Sequence, residues 1–265
     1  MFINLNYTLQ NNIFLALFVG QSLVKLHEVD STNDYLKNLL SNSKPLIEGT
    51  VIMAEYQTAG RGQKGNVWKS EKGANLTFSI LLRPSFLNVN QQFQLNKAVS
   101  LGISDVLIEI LGKEAKIKWP NDVYFNNQKL GGILIENTIK GNFLKESIVG
   151  IGLNVNQKEF DVNDDRATSL SKILHQDYDL DKLLSQICGA IESRYLQLKA
   201  NKNQLLDKDY LRRLFRLDES HQFEIAHQNF EGVIKGVTPS GRLSMQLSNG
   251  EQMDLDLKEV KFIFD

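Results

Sequence analysis

Apolar and polar positions follow two different rhythms along the 265 residues. From about Leu23 to Arg213, strand-like and helix-like patterns are mixed. SLVKLHEV and GTVIMAEYQ read as strands, whereas TNDYLKNLL places Leu36, Leu39 and Leu40 on one helical face. NLTFSILL predicts another strand, and QFQLNKAVSLGISDVLIEIL keeps helical spacing for about five turns. KIKW, VYF, GGILIENT and FLKESIVGIGLNV then follow in quick succession, separated by Pro120-Asn121-Asp122, Asn126-Asn127-Gln128 and Lys140-Gly141-Asn142. Connections this short predict antiparallel neighbours, not βαβ crossovers. LDKLLSQICGAIESRYLQLKA and QLLDKDYLRRLF return to helical spacing.

From about Glu219 only short alternating stretches remain: QFEIAH, FEGVIKGV, RLSMQL, QMDLDL and VKFIF. Turn residues divide them, notably Thr238-Pro239-Ser240-Gly241 and Ser248-Asn249-Gly250. Roughly fifty residues of this kind predict a small β-barrel. The expected organisation is an α+β domain over residues 1–215 and a barrel over 216–265.

Near the N-terminus, Ile13 to Val19 (IFLALFV) is apolar, but the first charged residue, Lys25, comes after it, where a signal peptide would carry a basic leader before it. Gly20, Gln21 and Ser22 also end the run well short of the ~20 residues a membrane span needs. The expectation is a strand or packed edge of a cytoplasmic protein. Composition agrees with a soluble globular chain: 42% of residues are hydrophobic, 23% are charged, and the net charge is -1. That balance leaves no electrostatic footprint for bulk nucleic-acid binding. Cys188 is the single cysteine and there are four histidines, so neither a thiolate zinc cluster nor a disulfide framework is available.

One loop needs its context before it can be read. In AGRGQKG, Gly60, Gly62 and Gly65 fit G-x-G-x-x-G. A dinucleotide site would need a helix after the loop and an acidic residue about 20 positions on. Here NLTFSILL follows instead, and no Asp or Glu occurs between Glu71 and Asp105. A Walker A loop fails as well, because Asn66 stands where lysine is required. What remains is a glycine loop carrying Arg61 and Lys64, suited either to closing over a phosphate-bearing ligand or to plain solvation.

Four further stretches bear on that choice: DSTND (30–34), KWPND (118–122), KLGGILIE (129–136) and GIGLNVN (150–156). Together with AEYQTAGRGQKGNVW (54–68), their order and spacing resemble the biotin protein ligases. The motif-level resemblance runs from about residue 25 to 156 and continues more loosely to the end. It implies a mixed, largely antiparallel sheet with flanking helices, like the catalytic core of class II aminoacyl-tRNA synthetases, followed by an SH3-like barrel. It also implies an enzyme that activates biotin with ATP and Mg²⁺ and attaches it to a lysine of a biotin carboxyl carrier protein.

The residues suit that chemistry. Biotin, a cyclic urea fused to an apolar ring, needs neutral hydrogen-bonding groups inside an apolar pocket. Ser31, Thr32 and Gln57 match positions that hold the ureido ring in the family, and Asn33 lies beside them. Helix N-capping by Ser31 or Thr32 remains an alternative, and Gln57 could be a solvated strand end. Gly132, Gly150 and Gly152 sit in strands, where close approach of a ligand would explain glycine, and Trp68 is expected near the loop. Lys129 matches the family lysine that touches the biotin carboxylate and the α-phosphate, although alone it would read as a surface lysine. Arg61 adds charge, and with Gly62 and Gln63 it completes the biotin side of the loop. Gly60, Arg61, Gly65, Asn121, Asp122 and Asn154 are the expected ATP-binding residues, with Pro-Asn-Asp also readable as a plain turn. No dedicated protein ligands for a metal are expected.

Many family members carry a second loop arginine where Gln63 stands here, which puts retention of the adenylate in question. Only about 25 residues precede the first motif, so the expectation is no DNA-binding role and no membrane association; a homodimer is left open. Rival readings are a lipoate protein ligase, a catalytically silent biotin or nucleotide sensor, and an SH3-like interaction module.

Overall fold

The computed structural model describes residues 7–10, 16–42, 46–161 and 166–264. Eight strands build the larger sheet: β1 (Tyr7–Gln10), β2 (Leu23–Leu26), β3 (Val51–Ala54), β4 (Leu76–Leu82), β5 (Ala115–Lys118), β6 (Asp122–Phe125), β7 (Gln128–Lys140) and β8 (Phe143–Leu153). Their spatial order is β1-β2-β3-β4-β8-β7-β6-β5. The pair β2–β3 is parallel, and the other neighbouring pairs are antiparallel. Short connections dictate this: Asn126 takes a φ of 50° between β6 and β7, and Gly141 a φ of 61° between β7 and β8. A sheet of hairpins with α-helices packed on it is the α+β architecture the sequence predicts.

Among the described residues five helices accompany the sheet: α1 (Thr32–Asn42), α2 (Gln92–Leu111), α3 (Leu170–Leu174), α4 (Leu180–Lys199) and α5 (Asn203–Arg212). The apolar face of α1 puts Leu36, fully buried, against Ile52, Leu81 and Ile148. Burial of one such side chain stabilises by about 2 kcal/mol. The short α3 escapes the periodicity reading because five residues carry little pattern; Ser169 caps it by accepting from the Lys172 N–H.

The second sheet contains β9 (Ser220–Ile225), β10 (Gln228–Val237), β11 (Leu243–Leu247), β12 (Gln252–Leu255) and β13 (Val260–Phe262) in the order β12-β11-β10-β9-β13, all antiparallel. It shares its core with the larger sheet: Phe223, Ile234 and Leu243 belong to the same buried cluster as Phe78, Leu95 and Trp119. The Trp119 indole N–H donates to the Gly241 carbonyl at 2.9 Å, tying the β5–β6 connection to the turn between β10 and β11.

The N-terminal segment departs from expectation. Residues 13–15 lie outside the described residues, and Ala16 to Val19 form bends instead of a strand. Their backbone donors find a carboxylate in place of a ladder: the N–H groups of Leu17, Phe18 and Val19 all donate to Glu192 of α4, at 2.6–2.8 Å. Ala16 and Val19 are nevertheless buried, so the segment is a packed edge without being a strand.

Candidate active site

A cavity of about 610 Å³ opens between the start of α1, the 57–68 loop, strands β6 to β8 and strand β13. That volume suits a small-molecule site. Its two ends have different chemistry.

One end is neutral. Thr32 donates to Gln57 Oε1 twice, from its backbone N–H at 2.7 Å and from its hydroxyl at 3.0 Å. Ser31 occupies the helix-capping position, with Oγ 3.5 Å from the Asp34 N–H, so capping falls to Ser31 while the Thr32 hydroxyl faces its partners Gln57 and Ser79. Both line the cavity, as do Asn33, Gln57 and Trp68. The strand glycines are explained mainly by protein side chains: a Cβ on Gly150 would strike the Asn33 amide, and one on Gly152 would strike the Trp68 indole. Where a ligand was expected to approach, Asn33 and Trp68 make the close contact, and both glycines also line the cavity. Trp68 Nε1 is buried without a protein partner, a donor left over for an acceptor in the cavity.

The glycine loop joins β3 to the antiparallel β4 and closes on itself, which excludes a Rossmann turn. Gly62 N–H donates to Asn66 at 2.6 Å, Trp68 N–H donates to Gly60 at 2.9 Å, and Gln63–Gly65 form one 3₁₀ turn. Arg61 is held by two carboxylates, Asp34 at 2.8 Å and Glu136 at 2.7 Å. Arg61, Gly62 and Gln63 line the cavity. Gly60 and Gly65 do not appear among its lining residues: Gly60 packs against the Trp68 carbonyl and Gln57 Nε2, and Gly65 serves the turn with a φ of 84°.

The other end is cationic. Lys129 pairs with Asp122 at 2.7 Å, and Gly132 leaves them room, since a Cβ there would lie 3.1 Å from Asp122 Oδ1. The Asn121 amide donates to the Ile133 carbonyl, anchoring β7 while still facing the cavity. Asn154 is buried outside the lining, its backbone N–H bonded to Leu130. Sequence reasoning passed over several residues here. Lys118 stands 4.4 Å above the Phe262 ring, and Arg166 stacks 4.6 Å from Phe264. Burial lowers the Lys118 pKa to about 8; Asp122 opposes the shift, while Lys129, Arg216 and Arg166 reinforce it. Lys118 was visible inside KWPND; the aromatic partners in VKFIF carried no local signal.

Among the described residues five basic side chains (Arg61, Lys118, Lys129, Arg166 and Lys261) and one carboxylate, Asp122, line the cavity, while Asp34 and Glu136 pair with Arg61, and Glu224 with Lys261, from outside the lining. Such an excess suits a polyanion. Among the described residues no group of three or more His, Cys, Asp or Glu could hold a metal ion. Burial pushes the Cys188 thiol far above its ordinary pKa, so it supplies no nucleophile.

The chain is 32% identical over 225 residues to the biotin--[acetyl-CoA-carboxylase] ligase of Mycobacterium tuberculosis, a match covering 83% of this chain and 81% of that protein. The chain belongs to the biotin protein ligase family. The profile of the Biotin/lipoate A/B protein ligase family matches residues 26–154, the span of the sequence motifs. A solved biotin protein ligase from Aquifex aeolicus, in complex with biotin and ATP, superposes with a TM-score of 0.76 at 31% identity, covering 92% of this chain and 99% of that one. The bifunctional ligase/repressor BirA of Bacillus subtilis is 35% identical over 180 residues, 67% of this chain. The chain spans about half (54%) of that relative's length. As a biotin protein ligase fold, the mixed α+β sheet and its motif order agree with the sequence expectation. No helix among the described residues is long and apolar enough to cross a membrane.

Proposed function

We propose that this chain activates biotin with ATP, forming biotinoyl-5′-AMP and pyrophosphate, and then transfers the biotinoyl group to a lysine of a biotin carboxyl carrier protein. The observation that carries the reading is the joining of a neutral pocket and a cationic end in one cavity. The neutral end, Ser31, Thr32, Asn33 and Gln57 under Trp68, is assigned to the ureido and apolar rings. Lys129, held by Asp122 on the far wall, is assigned to the biotin carboxylate and α-phosphate.

In the first step a carboxylate oxygen attacks the α-phosphorus and the bond to pyrophosphate breaks. Bringing two anions together demands positive charge, which Lys129, Arg61, Lys118 and Arg166 supply. Asn121 and Asp122 are assigned to the nucleotide; Gly60, Gly65 and Asn154 act by shaping the loop and the strand behind it. Mg²⁺ fits as a phosphate-borne ion with water ligands, because among the described residues Asp122 is the single carboxylate lining the cavity. When bound it neutralises phosphate charge.

In the second step the carrier lysine attacks the acyl carbon as a neutral amine, AMP leaves and the nitrogen loses its proton. Lys129 and Arg61 lower that amine's pKa by like-charge repulsion. The 59–68 loop closes over the mixed anhydride and excludes water. On this reading residues 1–215 form the catalytic domain, related to class II aminoacyl-tRNA synthetase cores, and residues 216–265 an SH3-like barrel that also walls the phosphate end through Phe262. The protein works in the cytoplasm on a carboxylase carrier, without nucleic acid.

ATP–pyrophosphate exchange tests the reading. Exchange should require biotin, fail with lipoate, and fall about 10²- to 10³-fold in Lys129→Ala. Exchange with lipoate alone, or tight biotin binding without exchange, overturns it.

A further inference from the structure

Behind the neutral pocket two polar groups that the ligase chemistry leaves unused, half-buried Glu136 and fully buried Ser79, bond to the pocket residues Asn33 and Thr32. Glu136 of β7 accepts from the Asn33 amide at 2.7 Å and grips Arg61 at 2.7 and 3.3 Å. Asn33 Oδ1 lies 2.6 Å from the Ser79 hydroxyl, and Ser79 Oγ lies 2.8 Å from Thr32 Oγ1. Ser79 is fully buried, and Thr32 and Asn33 are 3% exposed, so water has little access to these contacts. Neither Glu136 nor Ser79 lines the cavity.

The proton count along this chain has one solution. The Asn33 nitrogen faces two acceptors, the Glu136 carboxylate and, at 3.4 Å, the Leu134 carbonyl, which fixes Oδ1 toward Ser79. An amide oxygen only accepts, so the single Ser79 proton goes to Asn33. Ser79 then has none for Thr32, and Gln57 Oε1, satisfied by the Thr32 backbone N–H, only accepts too. The Thr32 oxygen receives no proton from these neighbours and keeps lone pairs for a ligand N–H.

We propose that Glu136 is a positioning residue that sets the polarity of the ureido pocket: through Asn33 and Ser79 it keeps Thr32 a hydrogen-bond acceptor, selecting a ligand with a ring N–H. The proposal rests on the assignment of biotin to this cavity. Without the Glu136 acceptor the Asn33 amide is free to turn over. Its nitrogen then faces Ser79, the Ser79 proton swings to Thr32, and one of the two lone pairs a ligand N–H would use is taken.

Calorimetric titration of biotin into the purified protein tests this. Glu136→Met should weaken biotin binding about tenfold, the worth of one buried hydrogen bond. Glu136→Gln, which keeps one acceptor oxygen for Asn33, should lose less. Adding Ser79→Ala to Glu136→Met removes the misdirected proton and should restore at least threefold of the loss, which a merely structural defect would not allow. A double variant as weak as Glu136→Met, or a Glu136→Met protein that binds like wild type, overturns the proposal. Absence of biotin binding in the unmutated protein would instead overturn the assignment of the cavity.

Discussion

The two ends of the cavity are built on opposite rules. At the neutral end the polar side chains Thr32, Asn33, Gln57 and Ser79 hold one another in place at 2.6–3.0 Å, leaving lone pairs on Thr32 and the Trp68 indole N–H open. At the cationic end, Lys118 has aromatic rings for neighbours, and positive charge outnumbers negative. A preorganised network is rigid and costs little, whereas the desolvated Lys118 cation, near the like charges of Lys129 and Arg166, opposes folding. On the proposed function, the contrast teaches where each substrate's binding energy would originate: preorganisation at one end, relief of repulsion at the other.

The strongest way to break the comparison is Lys118→Met, which keeps the aliphatic stem and removes the charge. Exchange activity at limiting ATP should fall about 10²-fold. The same variant should unfold at higher denaturant at pH 7, by about 1–3 kcal/mol, because a cation that burial disfavours has gone. Loss of activity together with loss of stability would mean that Lys118 is an ordinary packing residue and that the two ends do not differ.

Gly152→Ala probes the neutral end by steric means. A methyl group there would lie 2.6 Å from an indole carbon of Trp68, so the ring must shift. Overpacking of this kind costs about 1–3 kcal/mol. Thermal unfolding should drop accordingly, and biotin affinity should fall by more than ATP affinity. Equal losses for both ligands would show that Trp68 roofs the whole cavity and not one end.

The same contrast decides what could be read from the sequence. Thr32, Asn33, Gln57 and Trp68 lie in two motifs on adjoining elements, so their order along the chain already put them together. The hairpins from β5 to β8 were legible for the same reason: connections of a few residues permit little else. The cationic end is assembled by long-range packing. Phe262 reaches Lys118 across 144 positions only because β13 pairs with β9 and the second sheet docks on Trp119. Glu192 as the partner of the Leu17 to Val19 backbone is equally remote. The strand glycines marked crowded positions, but the crowding at Gly150 and Gly152 comes from Asn33 and Trp68, not from the ligand expected there, and no spacing encodes those rotamers.

The smallest effect, and the one that separates the two ends most finely, is in pH. With a folded pKa of about 8 against an ordinary 10.5, Lys118 is charged in both folded and unfolded protein below pH 8. Between those values the unfolded chain binds the extra proton, so stability gains from this residue as pH rises through the window. ATP should respond in the opposite sense, because its phosphates are attracted to the charged form. Raising the pH from 7 to 9 should weaken ATP binding about threefold to tenfold, measured by titration calorimetry. Biotin binding, assigned to the neutral groups and to Lys129 and not to Lys118, should stay level across the same range. Lys118→Met should abolish the dependence on the ATP side; if the slope survives in that variant, the titrating group lies elsewhere among the cations of the cavity and Lys118 is not the residue whose repulsion ATP relieves.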